Sequence, residues 1–236
     1  ELINKDFDEY LVELSNLTLK IFQKLLSNIG DRQIVIPLSG GHDSRLIASI
    51  LNHLGAKNVK CYTYGSPGNF EAIIAKKIAD KLGYEWKFVP LIRKLEKQFY
   101  TSNEYNNYLK FSETFCSVPF IQSLSSIKYL KEMNWIKHDA IFINGLSGDF
   151  ISGGHADIKN NIRNETTNFD TRKENILNQL IKKHFSLWGY LKTQQNIDKI
   201  KKNLWNEIVK GCGNLFDKDQ DHLFYEYSEF IDRQSK

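Results

Sequence analysis

The chain has 236 residues, 41% of them hydrophobic and 25% charged, which suits a globular protein and excludes a disordered, collagen-like or low-complexity chain. Lys+Arg 32 against Asp+Glu 28 leaves a net charge of +4, a mild excess that tolerates an anionic ligand and falls short of a nucleic-acid footprint. No apolar run approaches the roughly 18 residues of a membrane-spanning helix, and Cys61, Cys116 and Cys212 suggest neither a disulfide framework nor a paired-cysteine zinc site, so a cytoplasmic location is expected, with no targeting signal.

The chain opens on Glu1 and its only methionine is Met133, so a piece of a longer protein is expected. In residues 7–27, Leu14, Leu17, Ile21 and Leu25 recur at three-and-four spacing, which predicts an amphipathic helix closed by Asn28 and Gly30. Residues 33–38 are short, β-branched and apolar on both faces, as a buried parallel strand requires. The loop Ser39-Gly40-Gly41-His42-Asp43-Ser44 follows, then a helical stripe of Leu46, Ile47, Ile50, Leu51 and Leu54, stopped by Gly55. The same order returns as a strand over 60–64, a loop over 65–70 and a helix over 71–82. Residues 85–89 and 140–144 predict a third and a fourth strand, with a long, mostly helical stretch rich in tyrosine and serine between them. This alternation predicts an α/β fold, a parallel sheet with helices on both faces. Beyond Asp170 the patterns are helical, as in Ile197, Ile200, Leu204 and Ile208. The expected organisation is one domain over 1–236, with an α/β nucleotide-binding core over 1–155 and a helical subregion over 156–236.

The loop after the first strand carries the most chemistry. Leu38 leads into it. Gly40 and Gly41 let the backbone turn tightly with its N–H groups pointing inward, and the following helix offers its positive end to the same spot, which makes a phosphate cradle. Ser39 and Ser44 add hydroxyl donors. Asp43 repels a phosphate, so its expected role is to hold the magnesium that bridges phosphates. Neither GxxxxGK[ST] nor GxGxxG stands here.

With these residues the loop resembles the SGGxDS pyrophosphate loop, or PP-loop, of the ATP pyrophosphatases, the adenylating family that includes asparagine synthetase, GMP synthetase and NAD synthetase. A second loop, Gly145-Leu146-Ser147-Gly148-Asp149-Phe150 and on to Gly153, Gly154 and His155, is similar to the asparagine synthetase motif Gly-x-Gly-x-Asp-Glu-x-x-x-Gly in a divergent amidotransferase form. The resemblance runs from about the first helix through His155. It implies the Rossmann-like adenine-nucleotide alpha hydrolase fold with strand order 3-2-1-4, and ATP and Mg2+ as ligands. Asp43 and Asp149 would be the magnesium ligands, Gly145 would lie against the nucleotide, and Tyr64 and Gly65 would present backbone to the adenine.

The implied activity is that of an ATP-dependent ligase, which adenylates a carboxylate-type acceptor with release of pyrophosphate and then transfers nitrogen. The implied partners are a small-molecule acceptor and, where glutamine rather than free ammonia supplies the nitrogen, a glutaminase domain in the full-length chain, with neither nucleic acid nor membrane. Two positions depart from the family. Leu146 stands where a glutamate assists nucleophile deprotonation, and Phe150 replaces the glutamate that follows the metal aspartate. The family's charge-stabilising lysine is expected beyond Lys236. An ATP-binding pseudoenzyme is therefore one alternative reading. An enzyme adenylating a tRNA base is another, and it calls for a strong basic face or a cysteine pair that the sequence does not carry. Bland readings are preferred for His42, His155 and Asp157, for Glu71 as a helix-dipole partner, and for Lys182, Lys183, Lys199, Lys201 and Lys202 as solvated surface. The aromatics from Tyr100 to Phe120 are expected in a packed helical core.

Overall fold

Ile34, Val35 and Ile36 are β-branched and buried, so the short segment they form can only sit inside a sheet that is covered on both faces. The computed structural model shows this, and it describes residues 5–112, 120–146, 148 and 168–212. The chain divides into two compact units, residues 1–146 and 147–236.

The first unit opens with α1 (Phe7–Ile29), capped by Asp6, whose side chain accepts from the Glu9 N–H while Glu9 reaches back. Then come β1 (Ile34–Pro37), α2 (His42–His53), β2 (Val59–Gly65), α3 (Phe70–Leu82), β3 (Glu85–Pro90), α4 (Arg93–Tyr100), α5 (Asn103–Ser112), α6 (Leu124–Glu132) and β4 (Ile141–Phe142). The strands are parallel in the order β3-β2-β1-β4, which is the order the family resemblance implied. Alternate residues serve opposite faces, as the strand period of two demands. Ile34, Ile36, Val59 and Cys61 pack with Ala48 and Leu51 of α2 and Ala75 and Ala79 of α3. Val35, Tyr62 and Val89 pack on the other face with Leu130 of α6 and Ile136.

Four local expectations need correction. The first helix forms, but Leu14, Leu17 and Ile21 are 54%, 55% and 55% exposed, and only its last turns, through Phe22, Leu25, Leu26 and Ile29, grip the sheet. The second helix begins at His42, so its first turn is part of the loop rather than a successor to it. The fourth strand is shorter than residues 140–144 and pairs with β1 only at Ile141 and Phe142. After the Ile143 N–H donates to Val35 O at 3.0 Å, the chain turns off the ladder, and the Asn144 side chain accepts from the Leu146 N–H at 3.2 Å. The aromatics of α4 and α5 form no packed core. Phe99, Tyr100 and Tyr105 meet edge to face or tilted with ring centroids 5.0–5.8 Å apart, no residue of either helix is buried, and Phe111 is 91% exposed. Residues of that stretch from 113 to 119, Cys116 among them, lie outside the described residues.

In the second unit the described residues are helical, as the patterns beyond Asp170 predict. Helix Phe169–His184 is capped by Asn168, a 3-10 turn spans Ser186–Leu191, and helix Gln194–Cys212 follows. Ile176, Leu180 and Ile208 form its core, with Leu204 and Trp205 packed against them. No helix among the described residues is long and apolar enough to cross a membrane.

Candidate functional site

The root of the SGGHDS loop is anchored before the loop begins. Leu38 is buried; its N–H donates to Tyr62 O at 2.8 Å and its carbonyl accepts the Thr63 hydroxyl at 2.7 Å. Thr63 in turn accepts the Trp86 indole N–H at 3.0 Å. The loop then closes on itself. The Ser39 N–H donates to Ser44 Oγ at 3.1 Å, the Gly41 N–H donates to Ser39 Oγ at 3.1 Å, and the two serine hydroxyls lie 3.1 Å apart. One hydroxyl hydrogen occupies the bond between the serines. The other is left to donate elsewhere.

Gly41 caps α2 in extended conformation with no side-chain cap, so the N–H groups of the helix's first turn lack a side-chain acceptor and the positive end of the helix dipole is open. Arg45 adds a cation: its guanidinium donates to Gly40 O at 2.9 Å, and its Nε is buried without a hydrogen-bond partner among the described residues. Asp43 is exposed in that first turn, and its carboxylate makes no hydrogen bond or ion pair with any described residue. A positive, donor-rich loop with one free carboxylate beside it has the composition needed for a phosphate together with its counter-cation.

β2 and β3 lie on one side of β1 and β4 lies on the other, so the carboxyl end of β1 faces the crevice at which an open parallel sheet binds its ligands. Gly145, just past β4, fills that crevice from the far side. A Cβ at this position would stand 2.7 Å from Asp43 Cβ and 3.0 Å from Ser44 N, so the chain can pass here only without a side chain. One strand over, Gly65 has φ +149°, and a Cβ there would stand 2.9 Å from Nδ2 of Asn69, whose side chain caps α3 by accepting from the Glu71 N–H at 2.9 Å. Tyr64 is half-buried with its ring 6.1 Å from that of Tyr62, and burial pushes its phenol up, so it is neutral at ordinary pH. Cys61, behind the site, is buried with its thiol pushed up to about 12, which makes it unreactive.

The structure thus brings Leu38, Ser39, Gly40, Gly41, Asp43, Ser44 and Gly145 together at the junction of β1 and β4, with Tyr64 and Gly65 at the end of the neighbouring strand. Leu146 follows at 58% exposed and offers no ionisable group. Ser147, Asp149, Phe150, Gly153, Gly154, His155 and Asp157 lie outside the described residues. Sequence reasoning did not single out Arg45, although it directly follows the motif. Nor did it foresee Ile74, whose Cδ1 would lie 3.4 Å from a Cβ at Gly40; its spacing in the core stripe of α3 gave no sign of contact with the loop.

A 3-2-1-4 parallel sheet with this loop after an inner strand is the arrangement that the resemblance to the PP-loop synthetases implied. The profile of the asparagine synthase family matches residues 27–224, and the chain belongs to that family. Comparison with curated proteins finds no match. Among solved structures, the chain is similar to an NH3-dependent NAD synthetase from Campylobacter jejuni, at 13% identity and a TM-score of 0.40, over 84% of this chain and 95% of that one. It also resembles a structure described as a predicted subunit of a tRNA methyltransferase from Methanocaldococcus jannaschii, at 21% identity and a TM-score of 0.25, over 48% of this chain and 67% of that one. Both likenesses are remote.

Proposed function

We propose that this chain binds ATP with magnesium at the β1–β4 junction and adenylates a carboxylate-type acceptor, and that a nitrogen nucleophile then displaces AMP. The observation that carries this reading is the approach of Gly145 to Asp43 and Ser44, which sets the start of the second motif directly against the phosphate loop. An acceptor carboxylate oxygen attacks the α-phosphorus, the bond to the β-phosphate oxygen breaks, and pyrophosphate leaves with the electron pair. The N–H groups at the start of α2 and the free serine hydroxyl hold the departing phosphates, and Arg45 adds positive charge beside them. Magnesium, held by Asp43 with Asp149, would supply further charge neutralisation. A small-molecule acceptor, a glutaminase domain in the full-length chain and a cytoplasmic setting belong to this same reading.

Leu146 favours one second reading, a pseudoenzyme that binds ATP and adenylates no acceptor, because this exposed position carries no base. ATP–pyrophosphate exchange measured across a set of small carboxylates separates the two. Exchange that depends on one acceptor, and that falls at least a hundredfold in Asp43→Asn, supports adenylation. ATP binding with no exchange for any acceptor supports the second reading.

A further inference from the structure

We infer that Arg45 is a positioning residue: by holding the carbonyl of Gly40, it keeps the Gly40–Gly41 peptide turned with its N–H into the loop, the orientation a triphosphate requires. This rests on the proposed reading of the loop as a phosphate cradle, and it names the residue that sets the cradle's polarity. The Arg45 guanidinium donates to Gly40 O at 2.9 Å. A trans peptide sets its C=O and N–H on opposite sides, and on the far side the Gly41 N–H donates to Ser39 Oγ at 3.1 Å, which lies 3.1 Å from Ser44 Oγ. Ser44 Oγ in turn accepts from the Ser39 N–H at 3.1 Å. One network therefore runs round the loop, and Arg45 holds it from outside the six-residue motif.

Adjacent glycines make such a holder necessary. A pair of them can turn the peptide between them by half a rotation at little steric cost. The turn changes ψ of Gly40 and φ of Gly41 together, and carries the latter from −73° to the positive side, where glycine alone sits easily. It also points the Gly40 carbonyl oxygen into the loop, against phosphate oxygens that it repels. A charged donor on that carbonyl opposes the turn, because a hydrogen bond from a guanidinium is roughly twice as strong as one between neutral groups. The setting of Arg45 points the same way. The side chain is half-buried, and its Nε is buried without a hydrogen-bond partner among the described residues, which counts against stability. Fold stability therefore explains this arginine poorly, and its hold on the loop explains it well.

Amide NMR spectra and ATP titrations of the 236-residue chain test this. In Arg45→Met the amides of residues 40 and 41 should show a second set of signals, or microsecond-to-millisecond exchange, that the unaltered chain lacks. Affinity for Mg-ATP, by calorimetry, should fall about tenfold to a hundredfold, with a urea midpoint no lower than that of the unaltered chain. Gly41→Ala separates position from charge. A Cβ at Gly41 meets Ser39 Oγ at 3.2 Å and fits φ −73°, but it resists a positive φ. Adding Arg45→Met to Gly41→Ala should therefore cost less than about threefold in affinity and leave the amide of residue 40 single. Amides of residues 40 and 41 unmoved in Arg45→Met, a lowered urea midpoint, or an affinity loss equal in the two backgrounds, as charge alone would give, overturns the inference. An unaltered chain that binds no Mg-ATP would defeat the proposed function, while the amide spectra would still decide the role of Arg45.

Discussion

At Gly145 a single missing atom group decides whether the two motifs can meet. The Cβ of an alanine would sit 2.7 Å from Asp43 Cβ and 3.0 Å from a backbone nitrogen, and neither is the yielding tip of a long side chain. Gly145→Ala is therefore expected to lower stability by about 1–3 kcal/mol and to weaken ATP binding, as overpacking does. Gly40 makes the contrast: its added Cβ would touch Ile74 Cδ1 at 3.4 Å, an ordinary contact, so Gly40→Ala should change stability by no more than about 0.5 kcal/mol. Denaturant melts of the two variants with ATP titrations compare them; equal stability losses would contradict the geometry. Burial at Cys61 and Tyr84 gives a second residue-level expectation. Both groups are pushed up to about 12, from ordinary values of 9.0 and 10.0. Above about pH 9 the unfolded chain begins to lose these protons while the folded chain keeps them, so the folded state binds more protons and its stability falls as pH rises toward 12. Urea midpoints should be lower at pH 10.5 than at pH 8.5. A flat profile would show that these groups are not held neutral.

Among the elements, β4 depends on the side chain that pins it. Gln33 is buried at the foot of β1; its Oε1 accepts from the Lys137 N–H at 2.8 Å and its backbone oxygen accepts from the Ile141 N–H at 2.8 Å, so one residue sets where the fourth strand starts and hence where Gly145 falls. Gln33→Leu fills similar space without the acceptor. It should cost about 1 kcal/mol and weaken ATP binding at a site that Gln33 does not touch, whereas unchanged binding by calorimetry would show that β4 is positioned by other contacts. The sequence makes the helices and the first three strands plain, because alternating β-branched runs and three-and-four stripes each report one period. It hides the shortness of β4, which is fixed by a side-chain bond from Gln33 and by the Asn144 turn, contacts that no periodicity encodes. For the same reason the stripe of α1 announces a helix face but does not say what covers it.

The whole molecule consists of an α/β unit that holds the SGGHDS loop and a second unit that is helical in its described residues. Ser39, Gly40, Gly41, Asp43 and Ser44 are legible as a site because a phosphate cradle needs small, donor-bearing residues in one unbroken run between strand and helix. The meeting of that run with Gly145 was legible only through family resemblance, since Gly145 stands 101 positions after Ser44 and strand order is not written in local pattern. The mutual bond of Ser39 and Ser44 was not legible at all, as it depends on rotamers. A crystal structure of the chain with magnesium and ATP decides whether the nucleotide sits at this junction. The expected result is triphosphate density against the N–H groups of Gly40 and Gly41 and the hydroxyls of Ser39 and Ser44, with the adenine toward Gly65; a triphosphate bound elsewhere, with this loop empty, would overturn the site.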